Sequence, residues 1–231
     1  MIDIVIITRT FNRPKYFSMC LRSITDQFFA GNIYHLIIDE TEKKSRYAER
    51  KSAAVLRKNY HPFVYYLKHR EKTDFVLIEN GVILYNTPWN ENMTFALNKA
   101  IKLKVRGTIK NNCVVCYLDD DDKYCSGYSL NRIADTFICN SQIWFWKVRF
   151  QYGLIVPSSE AWCMAPQTGN ISTIGFAHSL ELSEYSDWGN MSRGDYRTAS
   201  NIYRKAENVT WIDEILSQVQ NSTHEGRAGD L

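Results

Sequence analysis

Apolar residues along this chain fall into short dense runs, and the polar residues between them recur at helical intervals. The run IDIVIIT at positions 2–8 is continuous and β-branched, the pattern of a parallel strand covered on both faces. After Asn-Arg-Pro, a helical pattern extends from about Lys15 to Phe29, with Phe17, Cys20, Leu21 and Ile24 on its apolar stripe. NIYHLIIDE (32–40) is a second buried strand that ends in acids, 45–58 has a basic helical pattern, and FVYYLKH (63–69) is a third strand. This alternation is the βαβ signature of a mostly parallel sheet flanked by helices. Asn80-Gly81 interrupts it between two apolar halves of FVLIENGVILY (75–85), which predicts an inserted β-hairpin. A helix over 90–106 and a buried strand CVVCYL (113–118) follow. Beyond them the pattern predicts a helix over 127–138, an antiparallel pair over 142–157 turning at Gly153, and helices near 193–206 and 211–219. Residues 221–231 have the composition of a flexible tail.

The chain has 231 residues, 45% hydrophobic and 13% aromatic, enough for one α/β domain with a substantial core. A formal net charge of +3, from 28 basic and 25 acidic residues, gives no field that implies nucleic acid as a partner. The basic stretch from Lys43 to Lys72 reads as a solvated helix face. Of six cysteines, Cys113 and Cys116 form a C-x-x-C, but residues three apart on a strand face opposite sides, so they make no metal pair. Free thiols, an opening without a basic leader, and no apolar window of membrane-spanning length together predict a cytoplasmic protein without a membrane span.

The strongest chemical signal is VVCYLDDDDKY (114–124), where a buried strand runs into Asp119, Asp120, Asp121 and Asp122. Adjacent carboxylates about 4 Å apart repel by roughly 1–4 kcal/mol, so the run needs either full solvation or a positive group among it. Its position favours the second reading, because ligands of open α/β sheets bind beyond the carboxyl ends of the strands. Two other strand ends carry Thr8-Arg9-Thr10 and Asp39. Hard cations such as Mg²⁺ or Mn²⁺ take carboxylate oxygens and share them with phosphates. In extended geometry Asp119 and Asp121 point to one side. An EF-hand is excluded, since Tyr124 and Leu130 stand where such a loop needs glycine and an acid.

The opening IVIITRTFNRPKYFSMCLRSITDQ resembles the start of family 2 glycosyltransferases of the GT-A (Rossmann-like) fold. LIIDE is similar to that family's uracil-binding V-D-D-G-S segment, NENMTFALNKAI to its N-x-G-x-x-x-A-R-N-x-G helix, and YLDDDDKY to its L-D-x-D-D (DxD) motif. The order agrees over residues 2–124. Leu97 stands in place of the arginine before Asn98, and Thr41 in place of a glycine. The resemblance implies a single GT-A domain with a nucleotide-sugar-binding half over 1–124 and an acceptor-side half over 125–220. It implies transfer of a sugar from a nucleotide sugar, with UDP as the expected nucleotide, to a carbohydrate or glycoconjugate hydroxyl with inversion and with Mn²⁺ or Mg²⁺. Thr8, Arg9, Thr10 and Arg13 would border the nucleotide, Asp39 would accept from the uracil N3–H, and Asp119 and Asp120 would approach the ribose and sugar. Asp121, with Asp119, would hold the metal, and His178 is a further candidate ligand.

Inversion needs a general base for the acceptor hydroxyl. Glu160, Glu181, Glu184, Asp187 and Asp195 are available, and Asp195 at a predicted helix start is the first choice, Asp187 the second. Trp144, Trp146, Trp162 and Trp188 are candidates for stacking on sugars. Two other readings stay open. A nucleotidyltransferase would carry a glycine-rich phosphate loop after the first strand, and TRTFNRP has no glycine. A sugar- or nucleotide-binding module would keep the sheet without turnover.

Overall fold

The computed structural model describes residues 2–10, 13–39, 65–68, 76–79, 82–85, 89–189 and 193–220, with the backbone alone for 39, 65–68, 76–79, 82–85 and 89–90. The predicted 45–58 helix and the 221–231 tail lie outside them. Strands β1 (Asp3–Thr10), β2 (Ile33–Asp39), β3 (Tyr65–Lys68) and β6 (Cys113–Tyr117) are parallel, with β1 between β2 and β6. β4 (Val76–Glu79) and β5 (Val82–Tyr85) form a separate two-stranded antiparallel sheet, the hairpin expected around Asn80-Gly81, whose own placement lies outside the described residues.

Beyond β6 the sheet becomes mixed. β10 (Phe176–Ser179) is antiparallel to both β6 and β8 (Gln142–Arg149). β11 (Asn208–Val219) runs parallel to β8, and β7 (Asp122–Tyr124) closes the order β3-β2-β1-β6-β10-β8-β11-β7, with β9 (Ile155–Val156) paired to β8. β7 follows β6 in sequence yet pairs at the far edge, where the Tyr124 N–H also donates to Ser23 Oγ on the first helix at 3.2 Å. The sheet therefore curls around that helix.

Helix α1 (Pro14–Thr25) has proline at its first position, where the missing N–H is no loss. It buries Phe17, Cys20, Leu21 and Ile24, the predicted stripe, at about 1.5–3 kcal/mol for each large apolar side chain. It ends four residues earlier than its pattern suggests. Gln27 Nε2 donates to Ser126 O at 2.7 Å and Phe28 N to Gly127 O at 2.7 Å, so these residues bind a neighbouring loop instead of continuing the helix.

One core cluster joins Cys20 and Ile24 to Ile4, Ile6, Val114 and Cys116. On the other sheet face, α2 (Trp89–Val105) and α4 (Gly194–Tyr203) pack on Val5, Ile7, Val115 and Tyr117. Cys113 and Cys116 fall in opposite clusters, as strand alternation requires, and all six cysteines are free thiols. The predicted 127–138 helix is shorter, α3 (Ser129–Ala134). The helix predicted near 211–219 is instead the long strand β11, and neither β7 nor β10 was expected from the pattern.

Candidate functional site at the carboxyl ends of β1 and β6

The pairing of β1 with β6 continues past the ends of β6. Leu118 N donates to Ile7 O at 3.0 Å and Asp120 N to Arg9 O at 3.2 Å. TRT and LDDD thus run side by side, and alternation sends their side chains to opposite faces. On the α2/α4 face, Arg9 forks onto Asp119, Nε to Oδ1 at 2.9 Å and Nη2 to Oδ2 at 2.7 Å. On the α1 face, Thr10 Oγ1 donates to Asp120 Oδ2 at 2.7 Å. Arg13, just before α1, bridges Asp120 Oδ1 at 2.9 Å and Asp121 Oδ2 at 2.8 Å with Nη1. Arginine is thus the positive group among the aspartates.

The run is not extended. Asp122 N donates to Asp119 O at 3.0 Å, closing a tight turn that is braced by Gln220 N on Asp121 O at 2.9 Å. The expectation that Asp119 and Asp121 point to one side is corrected by this turn, which separates them onto different arginines. Asp122 enters β7, where its carboxyl is buried and Oδ1 has no hydrogen-bond partner among the described residues. Burial, then repulsion from Asp121, Asp119 and Asp120, pushes its pKa well above the carboxylate range. Burial likewise lifts Asp120 to about 7 against the opposing pull of Arg13, and raises Asp121.

Asp195 is the second residue of α4, after Arg193 in the left-handed region at φ +67. Its Oδ1 accepts from Tyr196 N at 2.8 Å. Burial raises its pKa against the hydrogen bond from Tyr196 N and the positive charge of Arg9, and Arg9 and Asp119 both lie within electrostatic range of it. Asp187 is more exposed and lies 3.8 Å from Arg197 Nε. Glu181 follows β10 at the opposite end of the sheet and pairs with Lys104 on α2. Glu160 and Glu184 are exposed.

The other expected residues divide between rim and core. Asp39 pairs in register with Thr10 at the end of β2, and its side chain lies outside the described residues. Thr8 is fully buried, its Oγ1 2.9 Å from Nε2 of His35, an interior histidine whose pKa burial lowers to about 3. His178 sits opposite Val115, four positions short of Asp119. Its Nε2 meets Tyr117 OH at 2.7 Å and its Nδ1 meets Ser179 O at 2.9 Å, which leaves the ring in the core. Trp144, Trp146 and Trp188 are buried too. Trp162 alone of the four is partly open, edge-on to Trp211 with Lys147 Nζ 5.0 Å from its centroid.

Among the described residues, no three or more His, Cys, Asp or Glu side chains form a ready-made metal cage. A divalent ion that also binds phosphate needs only one or two carboxylates. Asp119 and Asp121 each supply hard oxygens, with side chains 21% and 19% accessible, so either carboxylate fits such an ion when its arginine is displaced. Sequence reasoning gave Arg9 and Arg13 a nucleotide role but missed them as partners of the aspartates. The available signal was that both segments end strands of one parallel sheet.

No protein-family model matches the chain, and no curated protein matches it. Solved structures do. TarS from S. aureus aligns with a TM-score of 0.65 at 15% identity, over 96% of this chain and 37% of that one. TarS 1–349 in complex with UDP-GlcNAc aligns at 0.63 and 16%, over 100% of this chain and 62% of that one. The mannosyltransferase PcManGT from Pyrobaculum calidifontis, in complex with GDP-Man and Mn²⁺, aligns at 0.59 and 16%, over 97% and 59%. The chain thus spans 37% to 62% of the length of these solved chains. At such identities the likeness is one of architecture: the chain has the mixed, Rossmann-like GT-A fold that these proteins share.

Proposed function

We propose that the protein is a glycosyltransferase of the inverting, metal-dependent kind, moving a sugar from a nucleotide sugar, with UDP as the preferred nucleotide, to an acceptor hydroxyl. The observation that carries this reading is the convergence of Arg9, Thr10, Arg13 and Asp119–Asp121 at adjacent carboxyl ends of parallel strands, with Asp195 within electrostatic range of Arg9 and Asp119. That is where ligands of open α/β sheets bind. Structural likeness to proteins solved with UDP-GlcNAc and with GDP-Man and Mn²⁺ supports it.

Arg9 and Arg13 present planar forks suited to phosphate oxygens. Asp39 reads the uracil N3–H. Asp121, with Asp119, would hold Mn²⁺ or Mg²⁺ once its arginine is displaced, and the ion would supply a Lewis acid for the leaving diphosphate. Asp195 takes the proton of the acceptor hydroxyl as its oxygen bonds to the anomeric carbon, and the sugar–phosphate bond breaks with its electron pair on the diphosphate. A carboxyl raised by burial is a better match to this proton than an ordinary one.

Closure of Asp119 by Arg9 also favours a second reading, a nucleotide-sugar-binding module without turnover. A panel of nucleotide sugars screened by thermal shift with Mn²⁺ tests both. A donor at 100 times its dissociation constant adds about 2.7 kcal/mol of stability. Stabilisation followed by release of free UDP supports the enzyme, stabilisation without release supports the module, and no stabilisation by any member defeats both.

A further inference from the structure

The aspartates are occupied before any ligand arrives. Both oxygens of Asp119 are taken by one guanidinium, and Arg13 spans Asp120 and Asp121. These pairs are shielded, with side-chain exposures of 16% for Arg9 and 15% for Arg13, so they are short, charge-assisted bonds that water does not easily replace. A dication approaching Asp119 or Asp121 meets a guanidinium already on the oxygens it needs, and repels it at close range. A diphosphate changes that balance, because it offers each arginine a second bidentate partner and offers the ion bridging oxygens.

We propose, resting on the nucleotide-sugar reading above, that Arg9 and Arg13 are exchangeable counter-ions that shut the aspartates to a bare metal ion, so that metal and nucleoside diphosphate enter as a coupled pair. When they enter, at least one guanidinium passes from carboxylate to phosphate and the freed carboxylate passes to the metal. Each carboxylate and each guanidinium keeps a partner of opposite charge through the exchange. By linkage, the factor by which the diphosphate tightens metal binding equals the factor by which metal tightens diphosphate binding.

The test is a Mn²⁺ titration read by the EPR signal of free Mn²⁺, on the full chain with no addition, with uridine and with UDP, after correction for Mn²⁺ held by UDP in buffer. The expected result is weak binding alone and with uridine, and a dissociation constant at least tenfold lower with UDP. Arg9→Met, checked for folding by circular dichroism, is expected to bind Mn²⁺ alone at least fivefold more tightly than the parent and to show a smaller UDP effect. Arg9→Lys, which keeps the charge but not the fork, provides an intermediate case should Arg9→Met fail to fold. Equal Mn²⁺ affinity with and without UDP, while calorimetry shows that UDP binds, overturns the coupling and leaves the functional reading intact. Binding of neither UDP nor GDP with or without Mn²⁺ overturns both.

Discussion

Asp195 is the residue on which the proposed chemistry turns, and its surroundings make a specific variant informative. Asp195→Asn keeps the oxygen that accepts from Tyr196 N and suits a helix start, so the fold and UDP affinity should persist. Sugar transfer should fall at least a hundredfold, within the range of about 10²–10⁴ for loss of a general base. Steady-state kinetics beside UDP calorimetry checks this, and full activity in the variant moves the base elsewhere, with Asp187 next. Asp120 carries a second prediction, on stability. Its folded pKa, about 7, stands above its ordinary value of 3.8 because of burial, so the native state holds this proton where the unfolded chain has released it. Its contribution is therefore complete below pH 4 and is lost as pH rises through 7, at about 1.4 kcal/mol per unit of separation. In EDTA, urea midpoints should fall between pH 5 and pH 8, and fall less in Asp120→Asn. An equal fall in the variant assigns the dependence to other groups, Asp122 foremost.

Among elements, those nearest the aspartates were the most legible. β1, α1, β2, α2 and β6 announce themselves by continuous β-branched runs or a clean helical stripe, because each meets the core on a regular face. The helical expectation over β11 has a physical reason. Ile212, Ile215, Leu216 and Val219 recur at helical intervals, yet the strand reaches that spacing through register shifts between Ile212 and Ile215 and between Ile215 and Ser217. The first shift adds two residues against β8 and the second adds one, which turns period two into something longer. β7 and β10 are too short to carry a pattern at all. The candidate site was legible as a set of strand ends, whereas the Arg–Asp pairs were not, since they depend on which strands lie side by side. β11 also offers a test by energy. Ser217 Oγ accepts from the buried Trp146 Nε1 at 2.9 Å and donates to Ile174 O at 2.7 Å. Ser217→Ala strands both partners in the core and should destabilise by about 1–3 kcal/mol. Urea unfolding should show a lower midpoint at unchanged slope. An unshifted midpoint means that the bulged strand relaxes to satisfy both groups.

The whole molecule joins its two halves more tightly than the division of labour suggests. Everything expected to hold the nucleotide lies before residue 125, and the proposed base lies after it. The sheet nevertheless runs without a break from β3 to β7, and β6 needs β10 as its second neighbour. β7 belongs to the first half by sequence but among the described residues pairs only with β11, and the turn that shapes the aspartates is braced by Gln220. Both core clusters cross the boundary. Val5, Val115 and Tyr117 pack with Phe145, Phe176 and Trp188, while Ile4 and Cys116 pack with Trp144 and Trp146. A fragment of residues 1–124 would expose those apolar faces together with an unpaired strand edge, which favours association over folding. The full chain is therefore expected to unfold in one cooperative transition and the fragment to show none, by calorimetry and near-ultraviolet circular dichroism. UDP is expected to stabilise only the full chain. A fragment that melts cooperatively and binds UDP would make the first half a domain in its own right, and would locate the bracing of the aspartate turn within β1 and α1 alone.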